Sequence, residues 1–318
     1  MRTRLTSLLS GLLTLAVGCS VYQQYDLDRR YGDERVRGRE VTRLAAGAID
    51  YDTQVRPILE SRCVVCHACY DAPCQLKLGS SEGIDRGANP DRVYDARRLR
   101  QADLTRLFED ARTTAAWRDK DFHPVLNERV QNPEANAEVG LMSRLLELKR
   151  THPVEPGALL PEDVDLRLRR DQKCPTIAQL RRHERKHPDW GMPYGLPGLD
   201  PREHEIVTRW LAEGATHLPS PPLARHLAAQ VATWEQFLNQ DSLKAQLGSR
   251  FIYEHLFLGH MYFGDDESSP TFFELVRSRT PPGQPIDRIA TRRPYDDPGV
   301  ARPYYRLAPV REAIVAKL

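Results

Sequence analysis

Cys63-Val64-Val65-Cys66-His67 is the stretch on which the reading of this chain turns. Two thiols three positions apart, with a histidine directly after the second, form the attachment pattern for c-type haem. Each cysteine adds to one vinyl group, and the imidazole takes the iron from below. On that reading Cys63 and Cys66 carry thioether bonds and His67 is the proximal ligand. Just upstream, Val55, Ile58 and Leu59 recur with Cys63 at helical spacing and put an apolar stripe against the porphyrin. A bare C-x-x-C also reads as a zinc half-site or a redox dithiol. Zinc wants a second close pair, and Cys69, Cys74 and Cys174 offer no clean one. One covalent haem c is therefore the expectation.

Outward toward the N-terminus, Arg2 and Arg4 give a positive start, and Leu5 through Val17 an apolar segment too short to span a bilayer comfortably. Gly18-Cys19 supplies a small-residue cleavage point, so residues 1–18 read as a signal peptide and the mature protein as periplasmic. Haem c is attached in that compartment. Ala16-Val17-Gly18-Cys19 also resembles a bacterial lipobox, with alanine where leucine is usual. Cys19 is thus a candidate lipid anchor, against ordinary cleavage nearby, and one acyl chain would hold the protein to a membrane surface. Residues 19–49 are polar and arginine-rich without a sustained period, which predicts a tether. A formal net charge of +2 over 318 residues argues against a nucleic-acid binder. No nucleotide fold is visible, which leaves NAD(P)H and ATP out.

Outward toward the C-terminus, Cys69 to Cys74 is a tight loop that a disulfide can close, with Cys174 as the other possible partner. From about Asn89 to Lys186 the chain reads as helices joined by proline turns; Asn132-Pro133 is a cap with a first-turn proline. Leu141, Leu145 and Leu148 continue an apolar stripe, and Met142 among them reads as core packing. Trp190-Gly191-Met192-Pro193-Tyr194-Gly195-Leu196-Pro197-Gly198 places a methionine in a rigid loop. Met192 is the expected ligand on the far side of the iron, the plainer alternative being a buried loop methionine. Asp200-Pro201-Arg202-Glu203 then caps a helix with Ile206, Val207, Trp210 and Leu211 on one face, ending at Gly214.

These parts predict a mainly α fold. Residues 50–217 would form a cytochrome c-like haem domain with a long helical insertion, and residues 218–318 the start of a second mixed, mostly helical region. The chain stops inside the apolar run Ala313–Leu318, which suggests a truncated end. His183-Glu184-Arg185-Lys186-His187 matches H-E-x-x-H, but the charged flanks read better as a solvated basic helix than as a zinc site. His255 and His260, in an aromatic-rich region, read as packed or partly exposed side chains.

Three stretches together resemble the bacterial fatty acid cis/trans isomerases: Tyr51 through Cys74-Gln75-Leu76, the Gly191–Pro197 loop, and Thr291-Arg292-Arg293-Pro294-Tyr295-Asp296-Asp297-Pro298-Gly299. The resemblance covers essentially the whole chain after the signal. It implies an exported haem c protein that turns cis double bonds of membrane unsaturated fatty acids to trans without moving the bond. Family members continue well beyond residue 318. The partners so implied are unsaturated phospholipid or free fatty acyl chains, met by peripheral membrane association. A monohaem electron carrier, or a cytochrome-like domain of a larger oxidoreductase, is the rival class.

Overall fold

A computed structural model of the chain describes residues 22–93, 103–167, 172–264 and 271–312. The signal segment 1–18, Cys19 and the apolar run 313–318 lie outside the described residues. Among the described residues, 22–93, 113–167 and 172–219 make one compact unit, and 103–112, 220–264 and 271–312 another.

In the first unit, Asp50 accepts from the Thr53 amide and caps a π-type turn, Tyr51–Val55. That turn runs into α1 (Arg56–Arg62), with a proline in its first turn, and then α2 (Val64–His67). Ser80 caps α3 (Ser81–Arg86), and Thr113 caps α4 (Thr114–Arg118). Asn132 accepts from the Ala135 amide at 2.8 Å to start α5 (Pro133–Val139), which breaks at Gly140 before α6 (Leu141–Thr151). A Thr176/Gln179 capping box opens α7 (Ile177–Lys186), and an Asp200/Glu203 box opens α8 (Pro201–Ala212). The core gathers Val55, Leu59, Ile84, Val125, Leu146, Leu180 and Val207 around Tyr51 and Trp210, whose rings lie 5.4 Å apart. Each such side chain contributes roughly 1.5–3 kcal/mol on burial.

The polar stretch before residue 50 is not a free tether from residue 22 onward. Residues 22–31 are helical, and buried Arg39 reaches Asp85 and the Asn127 carbonyl, both at 2.9 Å. Glu40 pairs with His217 in a short parallel bridge, and buried Arg129 pairs with Asp28. Hydrophobic period could not reveal this, because the segment is held by charge pairing.

The second unit combines α9 (Arg225–Leu238) and α10 (Leu243–Leu256) with β1 (His260–Tyr262), β2 (Phe272–Ser278) and β3 (Tyr304–Pro309). The strands form one antiparallel sheet in the order β1-β2-β3, with Leu275 opposite Leu307. Leu238, Tyr253, Phe273, Leu275, Tyr305 and Leu307 make its core. α9 turns its acid inward: Glu235 pairs with buried Arg306 at 2.9 Å and accepts from the Leu307 amide, while Trp234 and Phe237 face outward.

The expected fold class is corrected by these elements. The chain is a mixed fold of helices and an antiparallel sheet, not a mainly α, cytochrome c-like one. The expected helical insertion is also largely irregular: between α3 and α5 the described residues hold only the short α4, and residues 103–112 belong to the second unit. Strands were missed because Phe272–Ser278 and Tyr304–Pro309 each carry an inward arginine, Arg277 and Arg306, which breaks the apolar alternation. No helix among the described residues is long and apolar enough to cross a membrane.

Candidate functional site

The site is built on the junction of α1 and α2. Val55, Ile58 and Leu59 are buried, which fixes the face of α1 and carries Cys63 to its end, where the Cys63 amide donates to the Leu59 carbonyl at 2.8 Å. The Cys66 and His67 amides both donate back to the Cys63 carbonyl, so the two thiols stand one turn apart. Burial, and after it the neighbouring Cys66, pushes the Cys63 thiol up to about 12. A thiol so held is a poor redox nucleophile at neutral pH.

His67 is buried, and its Nδ1 donates to the Leu76 carbonyl at 3.0 Å. A carbonyl can only accept, so Nδ1 carries a proton, and in the neutral ring Nε2 then holds the lone pair, the arrangement of a metal-ligating imidazole. The carbonyl is presented by a sharp bend in which Cys74 and Gln75 take positive φ of 55° and 49°. Two groups brace that bend. The Leu78 amide donates to the His67 carbonyl at 2.9 Å, buried Arg86 donates to the Gln75 carbonyl, and Arg86 itself lies over the rings of Trp117 and Phe122. A disulfide joins Cys74 to Cys174, and the Cys74 amide donates to Gln172 Oε1 at 3.0 Å. The pairing left open by the sequence is thereby settled, and Cys69 is free.

Met192 is held by a close approach of backbone to backbone. A Cβ at Gly191 would overlap the Lys149 amide nitrogen in the last turn of α6, so only glycine fits there, and the Met192 amide then donates to the Leu145 carbonyl at 2.9 Å. Farther along the loop, the Tyr194 hydroxyl accepts from the Asp165 amide, and Trp190 Nε1 donates to Asp163 at 3.0 Å.

Cys63, Cys66, His67 and Met192 line one cavity, whose empty volume of about 1570 Å³ includes its mouth open to solvent. Its walls are largely apolar, with Leu76, Leu78, Val125, Leu141, Leu145 and Leu146 among them. Met142 lines this cavity as well as packing on the core.

Two histidines outside the expected site residues line it too. His123 is held down to about 4, by burial first and by Arg118 second, and its Nε2 is buried without a hydrogen-bond partner. His183 is likewise held to about 4, by burial and the adjacent His187. His123 stands in no motif, so nothing in the sequence pointed to it. Within the H-E-x-x-H run, Glu184 is taken by Arg144 at 2.8 Å and His187 stacks on Trp190 at 4.2 Å. His255 and His260 belong to the second unit: His255 Nδ1 bonds the Phe251 carbonyl, and His260 lies 3.5 Å from Glu274.

The donor set fits a covalently held haem. Two cysteines outside the disulfide, an imidazole with its tautomer fixed and a thioether meet in one apolar chamber.

Comparison with curated proteins and with solved structures finds no match. Comparison with protein families matches residues 102–318 to the family described as fatty acid cis/trans isomerase (CTI). Met192 falls inside the matched stretch; Cys63, Cys66 and His67 precede it.

Proposed function

Because the chain belongs to the fatty acid cis/trans isomerase family, we propose that it turns cis double bonds of unsaturated acyl chains to trans with the help of a haem c seated in the cavity of Cys63, Cys66 and His67. The observation that carries this reading is the meeting of both thiols, His67 and Met192 on one apolar chamber. Cys63 and Cys66 would hold the porphyrin by thioethers, and His67 and Met192 would ligate its iron. A haem held there would supply reversible one-electron withdrawal, chemistry that weakens the π character of a double bond enough for rotation.

The chain's own residues do the rest. The Leu76 carbonyl orients the His67 ring and keeps its proton on Nδ1. Leu141, Leu145 and Leu146 give an acyl chain apolar walls and keep water from it. No net redox change results, so neither NAD(P)H nor ATP is consumed.

His67→Ala tests the reading in isolated membranes supplied with palmitoleate or cis-vaccenate. Conversion should fall to background; conversion at the wild-type level would overturn it. A chain purified from a host able to mature cytochromes should show a Soret band and the added mass of one haem. The same thiols and imidazole would serve a monohaem electron carrier; family membership favours isomerisation. Trans/cis ratios in lipids of cells with and without the gene separate the two.

Export to the periplasm with acylation at Cys19, or peripheral attachment without it, would bring the cavity to its substrate. Complete release by mild osmotic shock, with nothing left in the membrane fraction, would contradict that placement.

A further inference from the structure

A second cavity of the first unit adjoins the first. Its empty volume is about 740 Å³, open solvent included, and Leu146, Lys149, Met192, Leu199 and His204 line it; Leu146 and Met192 line both cavities. Lys149 is only 1% exposed, and its Nζ is buried with no hydrogen-bond acceptor. The loop above is shaped around this residue: Gly191 crosses its backbone, and a Cβ at Gly198 would come within 3.3 Å of its Cγ. Nε2 of His204 is buried and unpartnered as well.

An ammonium can only donate, and leaving it buried without an acceptor is among the costlier arrangements in a folded chain. Acids stand near but do not answer it. Asp189 acts on Lys149 through space only, and Glu147, which acts likewise on His204, is engaged by Arg150 through two hydrogen bonds. Burial alone lowers the Lys149 ammonium, so an anion arriving beside it would restore the charged form.

We propose that Lys149, assisted by His204, binds the anionic head of a single acyl chain, the carboxylate of an unesterified fatty acid, whose tail passes Leu146 and Met192 into the larger cavity. The proposal rests on the reading of that larger cavity as the place of isomerisation.

Equilibrium binding to the haem-loaded full chain tests it, with palmitoleic acid, palmitoleyl alcohol and a monoacyl phosphate of the same chain length as probes. The wild type should bind the acid about tenfold or more tighter than the alcohol. Lys149→Met, close in shape and uncharged, should erase that preference and leave the alcohol's affinity unchanged; His204→Gln should reduce the preference in part and serves if Lys149→Met does not fold. Equal affinity for acid and alcohol in the wild type, or a preference that survives both substitutions, overturns the proposal. A phosphate bound better than the acid, and lost in Lys149→Met, overturns the carboxylate assignment in favour of a lipid phosphate. Failure of the wild type to bind any of the three overturns instead the reading of the larger cavity as an acyl site.

Discussion

The half-buried imidazole of His123 gives this chain a measurable dependence on acid. Folded His123 is held near pH 4 by burial and Arg118, whereas in the unfolded chain it titrates near 6.5. As pH falls the unfolded state takes up this proton first, so the stability is complete above about 6.5 and drains toward about 4, by on the order of 3 kcal/mol. Urea midpoints at pH 7 and pH 4.5 should differ less in His123→Gln than in the wild type. Gly191 makes a second prediction. Gly191→Ala forces a Cβ into the backbone of α6, and the overpacking should cost about 1–3 kcal/mol and displace Met192 from Leu145. Thermal unfolding and the spectrum of the loaded protein would register both effects. Cys63, Cys66, His67 and Met192 were singled out as candidates because two thiols, an imidazole and a loop methionine keep recognisable company in sequence. His123, Lys149 and His204 were not, since what marks them is an unanswered polar atom in the fold.

Among elements, the bend from Cys74 to Leu76 matters most, because it presents the carbonyl that aims His67. Its latch to Cys174 closes a loop of sequence separation 100, which on the chain-entropy model contributes about 4–5 kcal/mol. Cys74→Ser should lower the denaturant midpoint accordingly and make it insensitive to reductant. Cys69→Ser should leave both midpoint and reductant response as they are, since Cys69 is free. Helix starts were readable: Asn132 and Asp200 cap where their spacing to Pro133 and Glu203 places them. The strands were not, because β2 and β3 owe their form to each other. Val276 lies opposite Arg306 and Arg277 opposite Tyr305, and neither run declares that partner from its own residues.

At the scale of the whole molecule, a hydrophobic core holds each unit, and buried charge pairs specify how the helices and strands meet. Glu235 and Arg306 are both nearly fully buried, and Arg306 also donates to the Pro281 and Gln284 carbonyls. Glu235→Gln strands the guanidinium and should cost about 3–5 kcal/mol, read as a lowered Tm of the second unit's transition. The mixed architecture escaped the sequence for the same reason as the early polar segment: period analysis follows apolar residues, while Arg39, Arg129 and Arg306 work from inside.

With Glu235 turned inward, the outer side of α9 from Ala228 to Phe237 exposes alanines, Thr233, Trp234, Gln236 and Phe237, and nothing ionisable. Water has no ionic hold on that strip, so its colloidal behaviour is set by salting-out rather than by pH. Retention of the purified chain on a phenyl column should lengthen steeply with ammonium sulfate and shorten on Trp234→Lys.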